Sequence, residues 1–265
     1  MLDPIKLAKI TEKQVCRKHN DTVSRRYWRF RGGLWYGGAA TADCVGCNLR
    51  CKFCGPLLFM LQQKAAGKFR KPSSVANALA SIAFKRKYKY ARISGGEPTI
   101  CFEHLIQVIA EMQKYPFLFI VETNGILLGA NKKYSEILSE FPNIHVRVSL
   151  KGTNEIEFEE LTMASGKFYQ YQIEAIKNLL DAEVSFHPAV VASFTTKENI
   201  LKLRQKLFDI SKEVADSLEV EYIVLYPHVV KSLIKHKLIP TKAYTTEWHL
   251  IGSEEFKILY LSKNQ

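Results

Sequence analysis

Four of the chain's six cysteines, Cys44, Cys47, Cys51 and Cys54, stand within eleven positions of one another, in the stretch ADCVGCNLRCKFCGP at residues 42–56. Thiols crowded this closely cannot cross-link distant parts of a chain, so metal or cluster ligation is the better reading. The C-x3-C-x2-C spacing of Cys47, Cys51 and Cys54 lets one short loop hold three corners of a four-iron four-sulfur (4Fe-4S) cluster, with the fourth iron open to another ligand. A structural zinc site would instead close all four positions, usually from two separated pairs. Cys44 makes a C-x2-C pair with Cys47, which leaves a local four-thiolate site formally open. Its place at the end of an apolar strand points to a small buried residue instead. Cys16 and Cys101 stand apart and are expected to be ordinary reduced thiols.

Further along the chain, ISGGEP supplies Gly95, Gly96, Glu97 and Pro98. Two glycines permit unusual backbone angles and close approach, while carbonyls at a strand end and the Glu97 carboxylate can accept from an ammonium group. VETNG offers Thr123 and Asn124, SLKG offers Ser149 and Lys151, and SFHPAV places His187 on a strand, facing the same pocket if the alternation holds. A lysine can pair with a carboxylate, and hydroxyls can reach a ribose.

These residues need elements to position them. From residue 39 the chain alternates short apolar strands with amphipathic helices: AATADC, YARIS, FLFIVET, IHVRVSL, VSFHPAVVA and LEVEYIVLY are expected strands. Between them, SSVANALASIAFKR is opened by Ser73 and Ser74 as candidate caps, and FEHLIQVIAEMQK carries Leu105, Ile106, Ile109 and Met112 at helical spacing. KKYSEILSEF, a helical pair across 154–182, KENILKLRQKLFDISKEVA and HVVKSLIKHK complete the series. Alternation of this kind predicts an α/β fold with a parallel sheet, and six units suit an open, partial (β/α)6 barrel. Chemistry in such folds gathers at the C-terminal strand ends, where the cysteine loop, ISGGEP, VETNG and SLKG fall.

GCNLRCKFC, with Phe53 before the last cysteine, resembles the signature of the radical S-adenosylmethionine (radical SAM) superfamily, and Gly95 to Pro98 resemble its Gly-Gly-Glu-Pro motif. The resemblance covers residues 39–226. It implies a 4Fe-4S cluster on Cys47, Cys51 and Cys54, whose open iron chelates S-adenosylmethionine through its amino and carboxylate groups. It also implies reductive cleavage to methionine and a 5′-deoxyadenosyl radical that abstracts hydrogen from substrate, with a reductant such as ferredoxin or flavodoxin as partner. Gly95, Gly96, Glu97 and Pro98 would contact the cofactor's amino group, and Thr123, Asn124, Ser149, Lys151 and His187 are further candidates for cofactor binding. The strand ends VETNG and SLKG look like those of the small glycyl-radical-enzyme activating enzymes. Glu122 and Ser149 stand where that group carries the aspartates of a monovalent-cation site, a departure that weakens the case for such a site here.

At 265 residues and 47% hydrophobic composition, the chain can bury one sizeable core. The expected organisation is a basic N-terminal extension at 1–38, a core barrel at 39–226, and a basic tail packing on the barrel at 227–265. No apolar run reaches the ~18 residues needed to cross a bilayer, so a cytoplasmic protein with no membrane partner is expected. The net charge of +12 attracts anionic partners without choosing among them. Arg25, Arg26, Arg29 and Arg31 alternate with Tyr27, Trp28 and Phe30, a mixture that could stack on bases. No cysteine follows Cys101, which leaves no ligands for C-terminal auxiliary clusters. The substrate is expected to be a protein or other macromolecule. RNA or a nucleotide precursor is the alternative, and a non-catalytic four-cysteine zinc or iron-sulfur module that binds nucleic acid is the reading from another class.

Overall fold

The computed structural model describes residues 1–55 and 67–262. Pro56, at the end of the cysteine stretch, and the last three residues of the tail lie outside the described residues. Six strands run parallel: β3 (Ala39–Cys44), β5 (Tyr90–Gly95), β6 (Leu118–Thr123), β7 (Ile144–Leu150), β8 (Phe186–Val191) and β9 (Glu219–Glu221), side by side in that order. They agree with the six expected strands, the last being shorter than LEVEYIVLY suggests. The sheet stays open, as in a partial barrel.

Strand parity explains the layering, because successive side chains point to opposite faces. On one face Ala40, Ala42, Ala91, Ile93, Phe119, Val121, Val146, Val148 and Val190 are wholly buried. They pack under α2 (Pro72–Arg86), α3 (Phe102–Met112), α4 (Ile126–Ala130), α5 (Lys132–Leu138), α6 (Glu155–Thr162), α7 (Tyr169–Asp181) and α8 (Lys197–Phe208). The other parity carries Thr41, Asp43, Arg92, Ser94, Glu122, Arg147, His187, Glu219 and Glu221. The concave face of the sheet is therefore polar. Helix α2 begins differently from expectation: Pro72 occupies its first turn and Lys71 is the capping residue, with no side-chain bond from Ser73 or Ser74. KENILKLRQKLFDISKEVA breaks into α8 and a short α9 (Lys212–Asp216), with Ser211 capping the second piece.

The N-terminal segment is built into the sheet. After α1 (Pro4–Val15), β1 (Cys16–His19) and β2 (Thr22–Gly33) form a hairpin whose second strand pairs antiparallel with β3, and β4 (Lys68–Arg70) pairs β2 on its other side. Val23, Arg25 and Tyr27 point inward at period two and are almost completely buried. The arginines therefore belong to the molecule's interior as well as its surface. Arg25 is fully enclosed, Arg26 lies over Phe69, and Arg29 and Arg31 both pair with Asp43.

Cys16 and Cys101 are joined in a disulfide, which corrects the expectation of two reduced thiols. Folding back at Asn20 and Asp21 lays β1 along β2, and Cys101 ends the turn that follows Pro98; this brings together residues 85 apart in sequence. At the other end of the chain, α10 (Pro227–Lys235), the hairpin β10–β11 (Lys242–Tyr244, Leu250–Gly252) and α11 (Ser253–Tyr260) pack beyond β9, with Leu233, Ala243 and Phe256 buried. Trp248 of this hairpin meets Trp35 of the turn before β3 edge-on, so the two sides of the open sheet touch there. Among the described residues no helix is long and apolar enough to cross a membrane.

Candidate cluster and cofactor site

The loop after β3 carries Cys47, Cys51 and Cys54. It is held from several sides: the Arg50 and Lys52 amides donate to the Thr162 and Leu161 carbonyls at the end of α6, and the Ser232 hydroxyl of α10 donates to the Lys52 carbonyl. His228 bonds to the Gly55 carbonyl. Such docking fixes the loop without using its thiols.

The thiols themselves fall into a trio and an outsider. Burial pushes the Cys47 thiol up to about 12, with Glu97 and Cys51 acting in the same direction. Cys54 is raised well above the usual thiol range by burial, then by Cys51 and Cys47, while Lys151 and Arg50 pull the other way. Cys51 is likewise raised by burial and opposed by Lys151 and Arg50. Cys44 is raised by burial too, with Arg25 lowering it and Glu97 and Asp43 raising it. Its side chain is core, 1% exposed. With Cys44 buried at the end of β3, the loop itself offers three thiols.

The donor set suits a cluster. A four-iron cluster takes each thiolate at a separate corner, and the loop after β3 carries three free cysteines. Cys47, Cys51 and Cys54 are the residues that would hold it, and Arg50 and Lys151 would offset its negative charge.

The turn after β5 is fitted to this loop through the backbone. The Gly96 amide donates to the Cys44 carbonyl and the Glu97 amide to the Gly46 carbonyl, each at 2.8 Å. Gly95 has φ +87°, a left-handed conformation, and a Cβ on Gly96 would stand 2.2 Å from the Gly46 oxygen. Both glycines are thus required by geometry. The Glu97 side chain is 2% exposed and bonded through both oxygens: Oε1 accepts from the Thr99 amide at 3.0 Å and from the Thr99 and Thr123 hydroxyls at 2.6 Å each, and Oε2 accepts from the Asn124 amide at 2.7 Å. Its carboxylate ties the end of β5 to the end of β6. The Glu97 and Pro98 carbonyls are taken as well, by Arg25 at 2.7 and 2.6 Å.

Thr123 and Asn124 follow β6. The Asn124 amide nitrogen Nδ2 donates to Asn48 Oδ1 at 2.7 Å and lies 3.9 Å from Cys47 Sγ, so this residue reaches the cysteine loop. Gln172 of α7 donates to the Asn124 and Ser149 carbonyls at 2.5 and 3.1 Å, and accepts from the Lys151 amide at 3.1 Å. Ser149 Oγ accepts from Arg147 at 3.0 Å. The ends of β3, β5, β6 and β7 are thereby joined into one polar rim. His187 sits elsewhere on the concave face, in the register row of Glu122 and Arg147. Its Nε2 is 3.0 Å from Glu219 and its Nδ1 is 2.7 Å from His145 Nε2.

Below the rim the concave face encloses a cavity of about 820 Å³ that reaches Cys44, Ser94 and Gly95. Glu122 stands in it, bonded to Arg92 at 2.6 Å, to Tyr36 at 2.7 Å and to Ser94. Burial raises the Glu122 carboxyl, but Arg92 and Arg147 outweigh burial and hold it below the usual carboxylate range. Arg147 binds Glu219 at 3.0 Å and Glu221 at 2.7 Å.

Arg25, Asn48, Gln172 and Arg147 were not legible as site residues from motif spacing. Only the period-two pattern Val23, Arg25, Tyr27 carried a signal, that of a strand.

Comparison with known proteins agrees with this geometry. The Radical SAM superfamily domain matches residues 43–207, more than half of the chain. No curated protein sequence matches. Among solved structures, Streptococcus suis SuiB bound to S-adenosylmethionine is 20% identical, with a TM-score of 0.52, over 68% of this chain and 38% of that one. The structure of anSMEcpe with bound AdoMet is 18% identical, TM-score 0.52, over 72% and 56%. A radical SAM methyltransferase from Sphaerobacter thermophilus is 11% identical, TM-score 0.54, over 84% and 74%. At these identities the likeness is one of fold, and the chain spans less than two fifths of SuiB's length. The family uses a 4Fe-4S cluster and S-adenosylmethionine, and by the matched domain, the cysteine trio and the Gly95–Gly96 turn, this chain belongs to the radical SAM superfamily.

Proposed function

We propose that this protein reductively cleaves S-adenosylmethionine and abstracts hydrogen from a protein or other macromolecular substrate. The observation that carries the reading is the separation of the cysteines: Cys47, Cys51 and Cys54 share one loop docked on α6 and α10, and Cys44 is buried in the core at 1% exposure. When bound, the cluster supplies the electron for cleavage and one iron for the cofactor's amino and carboxylate groups.

The chain's own residues orient and shield. Gly95 and Gly96 bring the end of β5 against the loop, and strand-end carbonyls there accept from the amino group. Lys151 is placed to meet a carboxylate, and Asn124 spaces the β6 end from Cys47. Glu97 and Arg25 keep these ends in register from the buried side. The cavity opens to solvent, so bound substrate completes the exclusion of water that a reactive intermediate requires. An external donor such as ferredoxin or flavodoxin would deliver the electron.

The test is anaerobic reconstitution with iron and sulfide, reduction, and addition of S-adenosylmethionine. Formation of 5′-deoxyadenosine and methionine is expected. An intact, reducible cluster that yields neither would defeat the reading.

A further inference from the structure

The concave cavity segregates charge, and we infer that it takes a peptide segment carrying one acidic and one basic side chain. This deepens the function proposed above and rests on it for the reaction.

On the side formed by β2 and β3, Arg29 and Arg31 share the single carboxylate Asp43, at 2.6 and 2.8 Å. On the far side, Glu219 and Glu221 of β9 share the single guanidinium Arg147. In the middle, Arg92 and Glu122 balance one for one. With histidines counted neutral, one edge of the cavity carries a surplus cation and the opposite edge a surplus anion. Strands β5 to β8 separate the two. All of these side chains line the same cavity of about 820 Å³, within the range of pockets that take a drug-sized ligand.

The surplus charges are also the reachable ones. Arg29 is 54% exposed and Glu219 41%, whereas Arg92 is 5% exposed and locked to Glu122. An acidic group of a ligand would find Arg29, and a basic group would find Glu219 and Glu221. Trp35 and Tyr226, each partly exposed at the rim, offer flat apolar surface between them. A nucleotide or RNA strand fits less well: its phosphates would meet one uncompensated arginine and then two carboxylates with a single partner. The arginines that made RNA attractive from sequence are largely spent inside the sheet.

The experiment uses reconstituted holoprotein with saturating S-adenosylmethionine and no reductant, so binding is read apart from cleavage. The probes are a blocked hexapeptide with glutamate and lysine at its two ends, the same peptide with glutamine at both ends, and adenosine monophosphate. Binding is followed by calorimetry. The charged peptide is expected to bind at least about tenfold more tightly than either other probe. Arg29→Gln and Glu221→Gln are each expected to erase that advantage while leaving the glutamine peptide unchanged; Arg31 still pairs Asp43 in the first variant. Equal binding of the two peptides, no binding of the charged one, its displacement by S-adenosylmethionine, or tighter binding of adenosine monophosphate would each overturn the inference. If the charged peptide binds but no 5′-deoxyadenosine forms on reduction, the proposed reaction fails and the cavity assignment stands.

Discussion

Gly96 lies against Gly46 with no room for a side chain: a Cβ at Gly96 would stand 2.2 Å from the Gly46 carbonyl oxygen. The neighbouring Glu97 amide donates to that same oxygen at 2.8 Å. The strand-end turn and the cysteine loop are thus a single fitted unit. Gly96→Ala is expected to force them apart, at about 2 kcal/mol or more of stability, and to lower iron retention after reconstitution. Gly252→Ala, where the nearest atom is 4.0 Å away, is the control. Denaturant melts and iron analysis of both variants check this; equal behaviour would show that the contact is dispensable.

Glu97 is a structural carboxylate before it is anything else. Thr123→Val removes a donor to Glu97 Oε1 and an acceptor of the Gly125 amide, at 2.6 and 3.1 Å. A loss of about 1–3 kcal/mol is expected, since both former partners are buried. Glu97→Gln should cost at least as much, because its amide would face the Asn124 amide donor. Urea unfolding of the two variants measures the difference, and a neutral Glu97→Gln would show that these bonds do not hold the two strand ends together.

Arg25 holds three carbonyls, those of Val45, Glu97 and Pro98, from a position with no exposed surface. Arg25→Lys presents one ammonium to a site shaped for a planar fork. A destabilisation of about 3 kcal/mol, accompanied by weakened binding of S-adenosylmethionine, is the expected outcome. Equilibrium unfolding and calorimetric titration with S-adenosylmethionine test the two parts separately.

Acid should loosen the fold in a defined window. Burial pushes His104 down to about 4, and burial with the facing His187 does the same to His145, against 6.5 for a free imidazole. Between these values the unfolded chain binds protons that the folded chain refuses, so stability falls as pH drops from 6.5 toward 4. Glu219, drawn down to about 2 by its bond to His187 and by Arg147, adds a loss of the same sign below 4.5. Melts of the cluster-free protein across this range should show the slope. His104→Gln should be less stable near neutrality yet flatter with pH; a slope as steep as the parent's would remove His104 from the explanation.

Much of this fold can be read from the chain because burial is periodic. IHVRVSL matches β7 residue for residue, since one parity is apolar and packs under helices. The Gly95–Gly96 turn is equally legible, being a local pattern with a steric reason. Strand β2 was harder. Its buried row includes Arg25, and a buried arginine satisfied by backbone carbonyls looks in sequence like one more surface charge. The Cys16–Cys101 pairing and the bond from Asn124 to Asn48 join residues 85 and 76 positions apart. Such contacts are set by which strands lie side by side, which no local spacing encodes.

The division of the four clustered cysteines into three ligands and one core residue is tested most directly by iron and sulfide content, and by 5′-deoxyadenosine formation, in anaerobically reconstituted Cys44→Ala and Cys51→Ala. Cys44→Ala should keep about four irons and its cleavage activity, and Cys51→Ala should lose both while remaining folded by circular dichroism. Loss of the cluster in Cys44→Ala, or an active cluster in Cys51→Ala, would contradict the assignment.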